Sequence, residues 1–121
     1  VQALVLGILC NILVCLAVWL AFSSRTTSGK ILAIVFPITA FIAAGFEHSV
    51  ANMYILPVAI LIRSFDPSFA AGTRLDLVSL TWGNFFITNL LPVTIGNILG
   101  GAGFVGGVYA LIYPVTKREK K

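Results

Sequence analysis

Charge is scarce in this sequence: 10% of its 121 residues are Asp, Glu, Lys or Arg, where soluble domains carry roughly 25%. Residues 1–24 and 77–116 hold no Asp, Glu, Lys, Arg or His at all. A helix through hydrocarbon needs about 20 mostly apolar residues, and both runs are long enough. Histidine occurs once and cysteine twice, so no His/Cys metal cluster can be assembled and neither a metal nor a cofactor is expected. Cys10 and Cys15 lie five positions apart and point to different faces of a helix, which argues against a disulfide and for two small apolar core residues. VQALVLGILC has no charged n-region and no small-residue cleavage site, so it does not resemble a signal peptide. The sequence also starts without Met, and we expect it to be a piece of a longer polypeptide.

What is present is apolar: 59% of the residues are hydrophobic. The formal net charge of +4 is concentrated, with three of those charges in the terminal KREKK and two basic residues, Arg25 and Lys30, beside a polar loop. Basic residues next to apolar spans mark the cytoplasmic side of a membrane. No basic patch is interleaved with aromatics, so no nucleic-acid partner is expected. The partner is the lipid bilayer.

Three apolar segments emerge. The first covers about residues 1–22 and stops at the Ser-, Thr- and Gly-rich loop SSRTTSGK. The second covers about 31–62, too long for one straight span, and is interrupted near 42–49 by Gly45, Glu47, His48 and Ser49. Residues 63–81, with Asp66, Pro67, Gly72, Arg74 and Asp76, read as a connection outside the hydrocarbon. The polar residues Asn84, Thr88, Asn89, Pro92, Thr94 and Asn97 make 78–93 an interfacial or re-entrant segment ahead of a third span over 96–115, with Trp82 and Tyr113 at the two interfaces. With KREKK cytoplasmic, the third span runs outside to inside, the second inside to outside and the first outside to inside. The Arg25/Lys30 loop then also lies inside, as the charge rule asks. Gly96, Gly100, Gly103 and Gly107 fall on one helix face and suit close helix packing.

The Glu47–His48 pair needs a reason, because a charge at mid-bilayer costs at least about 2.5 to 3.5 kcal/mol on insertion scales. Adjacent residues cannot share a helix face, so we expect a broken helix, with Gly45 permitting an unusual backbone angle and Ser49 or a neighbour capping a new half-helix. Free N–H groups around Ser49 to Asn52 would then carry partial positive charge and attract an anion. His48 can change charge near neutral pH. No nucleophile, metal cluster or phosphate loop accompanies the pair, so an enzyme is not expected. A buried pair that only locks helices together, in a non-transporting structural membrane subunit, is the competing reading.

GILCNILVCLAVW, FPITAFIAAGFEHSVANMYILP and NLLPVTIGNILGG, which follow one another along the chain in the family's order, resemble the second half of the formate/nitrite transporter family, nearest in appearance to its formate channels. The resemblance covers the chain from Gly7 to the basic tail. It implies an all-α integral membrane protein with three transmembrane spans, the second broken. These would form half of an aquaporin-like six-span protomer of two inverted repeats, so residues 1–121 would be the C-terminal repeat. The assembly implied is a homopentamer in the cytoplasmic (inner) membrane of a bacterium or archaeon, multi-pass, with a cytoplasmic C-terminus. It also implies that His48 is the polar centre of an apolar pore, that Phe41 belongs to the constriction, that Asn11 holds His48 by a hydrogen bond, and that Val14 borders the pathway. Glu47 and Asn52 belong to the same signature, and with Gly45 and Ser49 they are read as polar support of the break. The cargo implied is formate, passive or proton-coupled, with nitrite or hydrosulfide as the alternative small monovalent anions. The family's first repeat is absent from these residues, so this chain supplies half a pore.

Overall fold

The computed structural model describes residues 1–72 and 77–113. The KREKK tail, Arg74 and Asp76, and with them the loop-charge and tail assignments, lie outside the described residues. Every regular element among those residues is helical.

Helix α1 is Gln2–Ser23. It contains neither proline nor charge, and in an apolar surrounding its backbone polar groups can be satisfied only internally, which compels the helix. It ends where Ser23 Oγ turns back to donate to the Leu20 carbonyl at 2.7 Å. Helix α2, Thr27–Ala43, starts with Thr26 as its cap: Oγ1 accepts from the Gly29 N–H at 3.1 Å. Helix α3 is Ser49–Phe65, and α4 is the short Pro67–Gly72. Helix α5 runs without interruption from Trp82 to Ile112. By length and composition α1 and α5 are long and apolar enough to cross a membrane, while α2 and α3, at 17 residues each, are shorter apolar helices.

The continuity of α5 corrects the expected division between 78–93 and 96–115. The polar residues that suggested a separate segment are absorbed inside one helix. Thr88 Oγ1 donates back to the Asn84 carbonyl at 2.7 Å, Asn84 Nδ2 to the Ser79 carbonyl at 2.8 Å, and Asn89 and Asn97 turn toward other helices. Pro92 does not break the helix either. It offers no N–H to the Thr88 carbonyl and its ring crowds that turn, and the stretch ahead of it, Phe85–Leu90, is widened so that the Leu91 N–H reaches back five residues to Phe86. A second wide stretch, Leu99–Gly106, lies in the glycine-rich part.

α1 and α5 lie side by side and run parallel. Leu4 faces Gly96, Ile8 faces Gly100, Asn11 and Cys15 face Gly101, and the Trp19 ring stacks on Tyr109 with centroids 3.8 Å apart. α3 runs the opposite way along α5, from Ser49 at Asn97, past Asn52 at Asn89, to Arg63, whose Nη1 donates to the Leu80 carbonyl at 2.7 Å. α2 packs on α1.

The glycine seam differs from the expected one. A Cβ at Gly96 would fall under 3.0 Å from the Leu4 carbonyl oxygen, and one at Gly100 under 3.0 Å from that of Ile8, so at these two positions backbones meet. Among the described residues, nothing lies within 4 Å of a Cβ at Gly103 or Gly107. The wide turns put more residues into each revolution, which rotates the later two glycines off the face that a regular helix would give them. Gly7 and Gly101 supply the seam instead: their Cβ atoms would press on the Val93 carbonyl and on the Asn11 amide. The outer faces are apolar and exposed, Phe36 and Leu111 among them, while Ser49 and Asn97 are buried polar residues at the centre. This is the reverse of a soluble helical domain.

Candidate functional site

The chain between α2 and α3 departs from helix at residues 44–48. α2 closes with two crossing bonds, the Phe46 N–H to the Phe41 carbonyl at 2.9 Å and the Gly45 N–H to the Ile42 carbonyl at 3.0 Å. That pattern requires a left-handed residue at Gly45, whose φ is +67°. It directs the chain into Glu47 and His48.

His48 itself is the first cap of α3, with Nδ1 accepting a long 3.4 Å bond from the Ala51 N–H. An accepting Nδ1 puts the hydrogen of the neutral ring on Nε2. The ring is half-buried, and Phe41 lies over it with centroids 6.0 Å apart and planes 26° from parallel.

The expectation of open N–H groups at Ser49 to Asn52 is corrected. Ser49 N–H donates to Asn97 Oδ1 at 2.9 Å, Ala51 to His48, and Asn52 to the His48 carbonyl at 2.9 Å. Three of the four are taken, so the donors left at the break among the described residues are the Val50 N–H and the imidazole Nε2–H.

Asn97, which the sequence offered only as one polar residue among several, organises the centre. It is 6% exposed. Its Oδ1 accepts from both the N–H and the hydroxyl of Ser49 at 2.9 Å, and its Nδ2 donates to the Gly7 carbonyl at 2.8 Å and the Glu47 carbonyl at 3.1 Å. All four hydrogen-bonding positions of the amide are therefore used. One side chain ties α1, the break and the start of α3 to α5. Its placement follows from Gly7 and Gly96, which let the backbones approach closely enough for a short amide to reach.

Asn11 does not bond His48. Its Nδ2 donates to the Asn97 main-chain carbonyl at 2.6 Å, so its link to the imidazole runs through Asn97 and the α3 start. Val14 lies one helical turn along from Asn11 on α1 and is half-buried. Glu47 accepts at Oε2 from Asn52 Nδ2 at 2.5 Å and from Asn89 Nδ2 at 3.3 Å, and Asn52 Nδ2 also donates to Asn89 Oδ1 at 2.8 Å. From sequence, Asn89 counted only as one of the polar residues around 78–93. Its signal was there in hindsight, an amide eight residues before Asn97 on a helix that also holds Pro92.

Apolar helices around a broken helix and a polar centre are the build of membrane transport proteins. The chain belongs to the formate/nitrite transporter family, whose model matches residues 1–111. It is 49% identical over 117 residues to the formate channel FocA of Escherichia coli K12, covering 93% of this chain and 41% of that protein. It is 52% identical over 104 residues to a probable formate transporter of Methanothermobacter thermautotrophicus (86% and 32%). Similarity extends to an uncharacterized transporter, YrhG, of Bacillus subtilis, at 47% over 120 residues (99% and 39%). A solved pentameric formate channel with formate bound superposes with a TM-score of 0.82 at 48% identity, covering 93% of this chain and 46% of the other. The chain thus spans about two fifths of the length of the curated relatives it matches.

Proposed function

We propose that this chain forms the C-terminal, three-span half of a channel for formate, with the broken second span built from α2 and α3. The full protomer in this reading has six spans in two inverted repeats and assembles as a homopentamer in the inner membrane of a bacterium or archaeon, with a cytoplasmic C-terminus. The observation that carries it is the capped break at residues 44–48, which holds a half-buried His48 with Nε2–H as an available donor, beside Phe41. The relatives named above as formate channels support the choice of cargo. Phe41 serves as part of the apolar constriction, and Val14 borders the same passage.

A carboxylate crosses an apolar constriction at a large desolvation cost, and the neutral acid at a much smaller one. His48 therefore first orients formate by a hydrogen bond from Nε2–H and, in at least one direction, once the ring has taken up a second proton, protonates it and returns to the neutral form. Nitrite and hydrosulfide are anions of weak acids too, and the same centre suits them.

Flux of labelled formate in liposomes carrying the full-length protein tests the reading, with nitrite and hydrosulfide as competitors to rank the cargo. For the proton-donor role the comparison is wild type against His48→Asn over a pH series. Wild-type formate flux is expected to rise as pH falls and the variant's to be flat. The same pH dependence in both proteins would remove His48 as donor, and absence of any flux in the wild type would remove the channel reading itself.

A further inference from the structure

We infer that Asn89 is a positioning residue for Glu47, a role that rests on the channel reading above. Glu47 stands one residue before His48, yet its carboxylate is tied back to α5. Oε2 takes two amide donors, Asn52 Nδ2 at 2.5 Å and Asn89 Nδ2 at 3.3 Å, and the two amides are joined at 2.8 Å. The three side chains come from the break, from the first turn of α3 and from the widened turn Phe85–Leu90 of α5, and they close into a ring.

Its location gives the ring a task. Glu47 borders an open cleft of about 400 Å³ together with Gln2, Leu6 and Thr88. Asn89 borders a second open cleft, of about 480 Å³, lined by Leu56, Leu80, Thr81 and Asn84 on the side of the 77–81 turn. Thr88 borders both. The ring therefore stands between the two clefts, and it holds the carboxylate there. A carboxylate released from it would be free to swing into the cleft that Glu47 borders and repel an anion approaching the break. Neutral amides suit this better than a cation, since they fix the carboxylate without adding a competing site for formate. Asn89 reaches Glu47 because Pro92 forces the wide turn that carries it, so the proline acts on the ring through backbone geometry.

The test is a four-protein cycle in liposomes, using full-length wild type, Asn89→Leu, Glu47→Gln and the double variant, with the apparent KM for formate as readout. Asn89→Leu is expected to raise the apparent KM on the order of tenfold, the middle of the range for residues sharing one hydrogen-bond network, and to add nothing in the Glu47→Gln background. An equal rise in both backgrounds would make Asn89 a packing residue, and no rise in wild type would end the proposal. If Leu prevents assembly, Asn89→Ser has the same expected direction. A second readout needs no transport: in isotope-edited infrared spectra the Glu47 carboxylate band is expected to shift on Asn89→Leu, and an unmoved band overturns the assignment. Should wild type carry no formate, the infrared result still decides the Glu47–Asn89 pairing while the channel reading falls.

Discussion

Gly100→Ala is expected to destabilise the protein, whereas Gly103→Ala three residues on is expected to stabilise it. At Gly100 the new methyl would fall under 3.0 Å from the Ile8 carbonyl oxygen, with the Ile8 carbonyl carbon and Cα at 3.0 and 3.1 Å. Ordinary contact begins at 3.4 Å, so α1 must withdraw by at least 0.4 Å. All three neighbours are main chain and cannot rotate aside. Overpacking of this kind costs about 1–3 kcal/mol. The same withdrawal pulls on the 2.8 Å bond from Asn97 to the Gly7 carbonyl across the seam, which adds about 1 kcal/mol if that bond is lost. A total of about 2–4 kcal/mol follows. At Gly103 nothing lies within 4 Å among the described residues, and replacing a helical glycine by alanine there contributes about 0.5–1 kcal/mol in favour of the fold. Thermal or denaturant unfolding of the two variants in one detergent reads both signs. Equal destabilisation by both substitutions would show that the four glycines share one face after all, and would refute the rotation assigned to the wide turns.

Two further substitutions probe the centre. Asn97→Leu removes four side-chain hydrogen bonds and leaves the buried Ser49 N–H and the Gly7 and Glu47 carbonyls without that partner, so a loss of about 3 kcal/mol or more is expected; a melting temperature within about 2 °C of wild type would contradict the hub role. Gly45→Ala meets no atom within 4 Å and suffers only from its φ of +67°, so about 1–2 kcal/mol is expected. Here Gly45→Asn should recover part of the loss because asparagine tolerates that region better, and identical melting of the Ala and Asn variants would tell against a conformational cause.

The residues that carry the break were legible in sequence because each departs from its surroundings. Glu47 and His48 are charged or titratable in an apolar run, and Gly45 stands where a chain reversal needs a left-handed residue. Asn97 was not legible as a hub, because an asparagine's importance depends on which backbones come near it, and that was set by Gly7 and Gly96 on two different helices. The Asn11–His48 bond and the open N–H groups failed for a related reason: Asn97 arrives from α5 to take the Ser49 N–H and to offer Asn11 its carbonyl, and His48 turns back to take the N–H groups of Ala51 and Asn52. Regular periodicity misplaced Gly103 and Gly107, as no 3.6-residue template contains the wide turn of Leu99–Gly106. The same template hid the continuity of α5, where polar side chains face partners instead of interrupting the helix.

The cap at the start of α3 has a bearing on proton traffic. A ring able to hand over a hydrogen ion must first hold two, and the second would sit on the very nitrogen that now receives the Ala51 amide. Loading that imidazole therefore releases the Ala51 N–H from its cap, while the bonds from Ser49 to Asn97 and from Asn52 to the His48 carbonyl still hold the start of α3. Each acid-delivering cycle would break and remake that one cap bond, whereas mere passage of an ion past the ring would leave it in place.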